Sequence, residues 1–101
     1  GADLILIHSK EKSPKEIFSF SKTFRKTKYY KPLVSVPSTY SKTTESILIK
    51  NGFKIVIYAN HMLRAAYPAM ENAAKNILKN QRSFELENKI SSVKEVINLI
   101  K

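Results

Sequence analysis

Three short apolar runs alternate along the chain with helical patterns, and this alternation restricts it to a narrow class of folds. Leu4-Ile5-Leu6-Ile7, Leu33-Val34-Ser35-Val36 and Ile55-Val56-Ile57-Tyr58-Ala59 are continuous in hydrophobicity rather than alternating. That pattern suits strands buried on both faces of a parallel sheet. Strands are therefore expected near residues 3–8, 32–37 and 54–59, the second bracketed by Pro32 and Pro37 where a missing N–H is tolerated.

Helix signals fill the gaps. Ser13-Pro14-Lys15-Glu16 reads as a capping box with proline in the first turn, opening a helix that runs to about Phe24 with Ile17, Phe18, Phe20 and Phe24 as its apolar positions. Thr43 or Thr44 is expected to cap a second helix through Ile49, ended by Gly52 in the left-handed conformation. From His61 to about Leu78 the pattern is helical again. Pro68 should divide it into a short helix to about Ala66 and a longer one beginning near Pro68. Residues 81–89 read as a polar loop, and Ser92-Val93-Lys94-Glu95 as a second capping box opening a short terminal helix with Val93, Val96, Ile97 and Ile100 on one face. The order β-α-β-α-β-α plus a last helix argues a parallel α/β sheet with right-handed crossovers. Residues 1–80 form βαβαβα and residues 81–101 a loop and helix, within a single partial domain.

Such a sheet has two open edges and is a poor independent domain. The chain begins with Gly1 and enters a strand almost at once, and it looks cut from something longer. There is no Cys, which excludes disulfides and thiolate metal sites and fits a cytoplasmic protein. No apolar run approaches the roughly 20 residues of a membrane span, so no membrane partner is expected. Eighteen Lys and Arg against eight acids give a net charge of +10. The lysines are scattered, which favours a solvated surface over a nucleic-acid partner. The densest stretch, residues 22–31, mixes five cations with Phe24, Tyr29 and Tyr30 and falls where a helix C-terminus favours positive charge.

In parallel sheets and barrels ligands bind at the C-terminal ends of the strands. The segments placed there are His8-Ser9-Lys10, Ser38-Thr39-Tyr40 and Asn60-His61, each polar and directly after an apolar run. His8 is the leading catalytic candidate, because an imidazole can donate to a phosphate or carboxylate oxygen and exchange a proton near neutral pH. Ser38, Thr39 and Asn60 join it as candidate substrate ligands. Ser9, Tyr40, His61 and Arg64 are supporting candidates, with His61 expected to orient its neighbours or cap the helix after it. The only Asp, Asp3, begins a strand, and the seven Glu fall in helices or loops. No carboxylate pair stands at a strand end, so Mg²⁺ has no evident ligands in this sequence.

Four stretches resemble the phosphoenolpyruvate mutase family of the isocitrate lyase superfamily. They are Ala2-Asp3-Leu4-Ile5-Leu6-Ile7-His8-Ser9-Lys10, Lys31-Pro32-Leu33-Val34-Ser35-Val36-Pro37-Ser38-Thr39-Tyr40, Tyr58-Ala59-Asn60-His61-Met62-Leu63-Arg64-Ala65-Ala66 and Ser92-Val93-Lys94-Glu95. Ala-Asn-His-x-Leu-Arg-Ala is the most specific. The resemblance implies the C-terminal three βα units of a (β/α)₈ barrel. It implies an isomerase that interconverts phosphoenolpyruvate and phosphonopyruvate with Mg²⁺, making the carbon–phosphorus bond of phosphonates, and it implies that His8 contacts the migrating phosphoryl group. It also implies homo-oligomers packed through C-terminal helices. The Mg²⁺-binding aspartates and Lys-x-Asn gating loop of the family would lie upstream, so this stretch alone is expected to be inactive. Two alternatives stand beside that reading: a sister enzyme such as a phosphonopyruvate hydrolase or carbon–carbon lyase, and a basic α/β nucleic-acid-binding module.

Overall fold

In a computed structural model, which describes residues 1–100, the expected alternation is present. Lys101, the end of the expected terminal segment, lies outside the described residues. The chain falls into two units, Gly1–Ala59 and Asn60–Lys101.

The first unit is a three-stranded parallel sheet in the order β1-β2-β3, made of β1 (Ile5–Ile7), β2 (Leu33–Ser35) and β3 (Phe53–Val56), with α1 (Lys15–Phe24) and α2 (Glu45–Lys50) as its crossovers. Parallel strands in chain order joined by helices are what a (β/α)₈ barrel repeats. Ile5 pairs with Leu33 and Leu33 with Phe53, and an irregularity between Leu33 and Val34 then sets Val34 opposite Ile55. The strands are shorter than the apolar runs. β2 stops between its two prolines, which can donate no ladder hydrogen bond.

One face of the sheet packs against its helices. Ile17, Leu33, Tyr40, Leu48 and Phe53 form the core, with Ile5, Ile7, Phe18, Phe24 and Val56 at its margin. The other face is uncovered: Leu4, Leu6, Ile55 and Ile57 are 40–55% exposed, and only Val34 in their midst is buried. The continuous apolar runs therefore do mark two apolar faces, of which one is covered within the described residues. Phe20, expected among the packing positions of α1, is largely exposed and stacks on Phe24 instead. On the buried side of α1, Ser21 donates to the Asn51 carbonyl at 2.5 Å. Gly52 follows with φ +92, and a Cβ there would come within 2.9 Å of the Ser21 hydroxyl, so both the backbone and the space require glycine.

Two helix starts separate along physical lines. Thr44 caps α2, accepting from the Ile47 N–H. The Ser13–Glu16 box does not form: Pro14 occupies the cap position without a side-chain bond, and Ser13 reaches only the Lys15 N–H, at 3.4 Å. Glu16 is engaged elsewhere.

In the second unit α3 (His61–Asn80) is a single helix that contains Pro68, where two helices are expected from the sequence. An internal proline removes one hydrogen bond and costs about 3 kcal/mol. Here it sits among strong helix formers, Ala65, Ala66, Ala69, Met70, Glu71, Ala73 and Ala74, which sustain the helix across it. Gln81, in the left-handed conformation, ends α3. Residues 84–89, expected to be loop, form a 3₁₀ helix (Phe84–Lys89) against α3, with Leu86 buried and an Arg82–Glu85 ion pair at its start. α4 (Val93–Asn98) carries the expected capping box: Ser92 accepts from the Glu95 N–H, and the Glu95 carboxylate accepts from the Ser92 N–H. That bond holds the Glu95 carboxyl below its ordinary pKa.

Candidate functional site

Parallel pairing sends the exits of β1, β2 and β3 to one end of the sheet. The β1 exit is built around Ser9, which is 3% exposed. Its hydroxyl donates to the Glu16 carboxylate in the first turn of α1 and accepts from the Glu11 N–H at 3.1 Å. Its carbonyl accepts from the Thr39 hydroxyl at 2.7 Å, so the β1 and β2 exit loops are joined at this residue. Thr39, expected as a substrate ligand, thus has its one proton engaged by protein.

His8 stands beside this junction. It is exposed, and its imidazole bonds to no other protein group among the described residues. With Ile7, Glu16, Ile17 and Phe20 it lines an open cavity of about 270 Å³. In the β2 exit, the Ser38 N–H donates to the Val36 carbonyl at 2.8 Å, which tightens the turn. The Ser38 hydroxyl is half-buried and makes no hydrogen bond among the described residues. His8 and Ser38 therefore retain donor capacity for a ligand, whereas Ser9 and Thr39 have spent theirs on the loops.

Tyr40 is 1% exposed and packs in the core behind the loop, so its support is that of an anchor. Burial raises its hydroxyl pKa; the Val36 backbone pulls the shift partly back, but among the described residues no hydrogen bond of normal geometry reaches the oxygen. In the β3 exit the Tyr58 hydroxyl donates to Glu45 at 2.8 Å, and this bond raises the tyrosine pKa. A second open cavity, about 340 Å³, is lined by Lys12, Thr39, Ser41 and Lys42.

The remaining candidates open the second unit. Asn60 is the N-terminal cap residue of α3; its carbonyl accepts from the Arg64 N–H at 3.0 Å, and its side chain makes no cap bond. His61 is the half-buried first residue of the helix, and Arg64 is exposed one turn on. Arg64 forms no ion pair among the described residues and lines a cavity of about 490 Å³ with Leu63, Tyr67 and Pro68. Glu16 is the residue that sequence reasoning missed, because its spacing from Ser13 matched a helix cap.

A dianionic ligand needs donors and positive charge. The first unit offers an imidazole, a free hydroxyl and nearby lysines. Among the described residues no three His, Cys, Asp or Glu side chains come together in a way that could hold a metal ion. These residues do not fit a Mg²⁺ site by themselves, and no step through a metal is assigned to them.

Residues 1–78 match the family model described as phosphoenolpyruvate phosphomutase. The phosphoenolpyruvate phosphomutase of Tetrahymena pyriformis is 37% identical over 98% of this chain and 32% of its own length. The phosphonopyruvate hydrolase of Variovorax sp. (strain Pal2) is 41% identical over 98% of this chain and 33% of its own length. Among solved structures, phosphoenolpyruvate phosphomutase from Streptomyces platensis subsp. rosaceus superposes with a TM-score of 0.86 at 36% identity, over 98% of this chain and 33% of its own. A phosphonopyruvate hydrolase in complex with oxalate and Mg²⁺ superposes with a TM-score of 0.84 at 40% identity, over 98% and 34%. The chain spans about a third of the length of the relatives it matches.

Proposed function

The chain belongs to the phosphoenolpyruvate phosphomutase family, and on that footing we propose that it supplies the strand-end part of a site for phosphoenolpyruvate and phosphonopyruvate. The observation that carries this reading is the arrangement at the β1 and β2 exits. Among the described residues His8 and the Ser38 hydroxyl keep free donors there, while Ser9 and Thr39 lock the two loops together. The reaction is an isomerisation: the P–O bond of phosphoenolpyruvate breaks, a P–C bond forms at C3, and nothing leaves. The role assigned to His8 is to donate to the phosphoryl oxygens in transit, where a positioned donor counts most.

A hydrolase acting on phosphonopyruvate is the second reading, favoured by the 41% identity to the Variovorax enzyme. Both reactions share the substrate and differ in the acceptor of the phosphoryl group, an enolate oxygen or water. Magnesium enters as a proposal from the relative solved with oxalate and Mg²⁺; its ligands would come from residues outside this chain.

The test is ³¹P NMR of phosphonopyruvate with Mg²⁺ and a family-length protein containing this chain. A new phosphoenolpyruvate resonance is the expected result, and inorganic phosphate would select the hydrolase. Loss of neither P–C signal nor substrate would overturn both. This chain alone is expected to give no turnover.

A further inference from the structure

We propose that Glu16 is a positioning residue for His8, acting through the Ser9 hydroxyl. The inference rests on the reading of His8 as the phosphoryl contact. Glu16 lies in the first turn of α1, where a carboxylate is ordinarily explained by the cap or by the helix dipole. The cap explanation fails here, since the cap position makes no side-chain bond. Instead the carboxylate reaches back seven residues and accepts from Ser9.

Ser9 is held by three hydrogen bonds. Its hydroxyl proton goes to Glu16, its hydroxyl oxygen accepts from the Glu11 N–H, and its carbonyl accepts from Thr39. Three segments, the β1 exit, the start of α1 and the β2 exit, converge on one buried serine. His8 sits between that fixed point and Ile7, the last paired residue of β1. With both neighbours held, the backbone of His8 has little freedom, and its imidazole is presented to the cavity it shares with Glu16. A hydrogen bond to an ionised acceptor is stronger than a neutral one. The carboxylate is therefore a better anchor for the buried Ser9 hydroxyl than water would be.

The test is ¹⁵N relaxation and ¹H–¹³C spectroscopy of the His8 ring in this chain, comparing Glu16→Ala, Glu16→Gln, Ser9→Ala and Glu45→Ala with the parent. Glu16→Gln keeps an oxygen that accepts from Ser9, and Glu45→Ala removes the equivalent first-turn carboxylate of α2 as a control. The expected result is that Glu16→Ala and Ser9→Ala drop the order parameters of residues 8–12 from about 0.85 to below about 0.6 and collapse the His8 ring shifts toward random-coil values. Glu16→Gln, which trades the charged acceptor for a neutral one, should fall between Glu16→Ala and the parent, and Glu45→Ala should leave both unchanged. Ordered residues 8–12 in Glu16→Ala, or a Glu16→Gln variant as mobile as Glu16→Ala, would overturn the proposal. Glu16 is exposed, so its variants keep the fold even if Ser9→Ala does not. No substrate is used, so a failure here is read in the order parameters and is distinguishable from a failure of the isomerase reading, which is read in the turnover assay.

Discussion

At the scale of single residues, the strand exits separate hydroxyls whose protons are engaged by protein from groups whose donors are not, among the described residues. Ser9 and Thr39 look alike in the sequence, as hydroxyls after apolar runs, yet the structure engages both in protein hydrogen bonds and leaves the Ser38 hydroxyl unbonded among the described residues. Sequence could place these residues at strand ends, since that follows from hydrophobic patterning alone. It could not say which hydroxyl is spent, because that depends on loops thirty residues apart meeting in space. Tyr40 makes the same point with a measurable consequence. Its ring is core, while its buried hydroxyl lacks a hydrogen bond of normal geometry. Tyr40→Phe should therefore leave stability unchanged or raise it by about 1 kcal/mol, since an unsatisfied buried hydroxyl carries its desolvation cost uncompensated. Because burial raises the folded-state pKa above the ordinary value of 10.0, the unfolded chain ionises first, and stability should fall as pH rises above 10. Tyr40→Phe should remove its share of that alkaline loss. Urea unfolding of both proteins at pH 7 and above pH 10 checks this, and a clear loss of stability at pH 7 would mean that the hydroxyl has a partner.

At the scale of elements, what could be read was set by local chemistry. The Thr44 cap, the Gly52 terminator and the Ser92–Glu95 box depend on residues within four positions of one another, and all three form as the sequence suggests. The Ser13–Glu16 box has the same spacing and fails, because Pro14 takes the cap position and has no N–H to donate, while a buried serine upstream offers Glu16 a donor. Pro68 shows the complementary limit: a local rule against internal proline is overruled by the helix propensity of a twenty-residue segment. Pro68→Ala should restore the missing N–H and stabilise α3, raising the unfolding free energy by up to about 3 kcal/mol. Thermal unfolding followed by circular dichroism reads the effect, and an unchanged or lower melting temperature would show that the helix depends on the proline ring.

At the scale of the whole molecule, the sheet presents one packed face and one bare one. Leu4, Leu6, Ile55 and Ile57 form a patch that water contacts directly. Apolar area is worth about 25 cal/mol per Å² when removed from water, so burying a few hundred Å² favours association by several kcal/mol. This chain in isolation should therefore self-associate, with a light-scattering mass above 11.6 kDa, and Leu6→Lys with Ile55→Lys should return it toward the monomer. A monomeric parent chain would refute the argument. The bare face was legible as apolar from the runs themselves, but which face the helices would cover was not, because the crossover geometry decides it.

The order of the strands has a kinetic meaning. Pairing Ile5 with Leu33 closes a loop of 33 − 5 = 28 residues, and pairing Leu33 with Phe53 closes one of 53 − 33 = 20. Loop-closure entropy grows only with the logarithm of length, so the two closures differ by about 0.3 kcal/mol, below thermal energy. Neither pairing has to wait for the other, and each can form as soon as its own βαβ unit has been synthesised. A chain built this way assembles its sheet by short, nearly equivalent steps, and the loop network at Ser9 can be completed once β2 has docked.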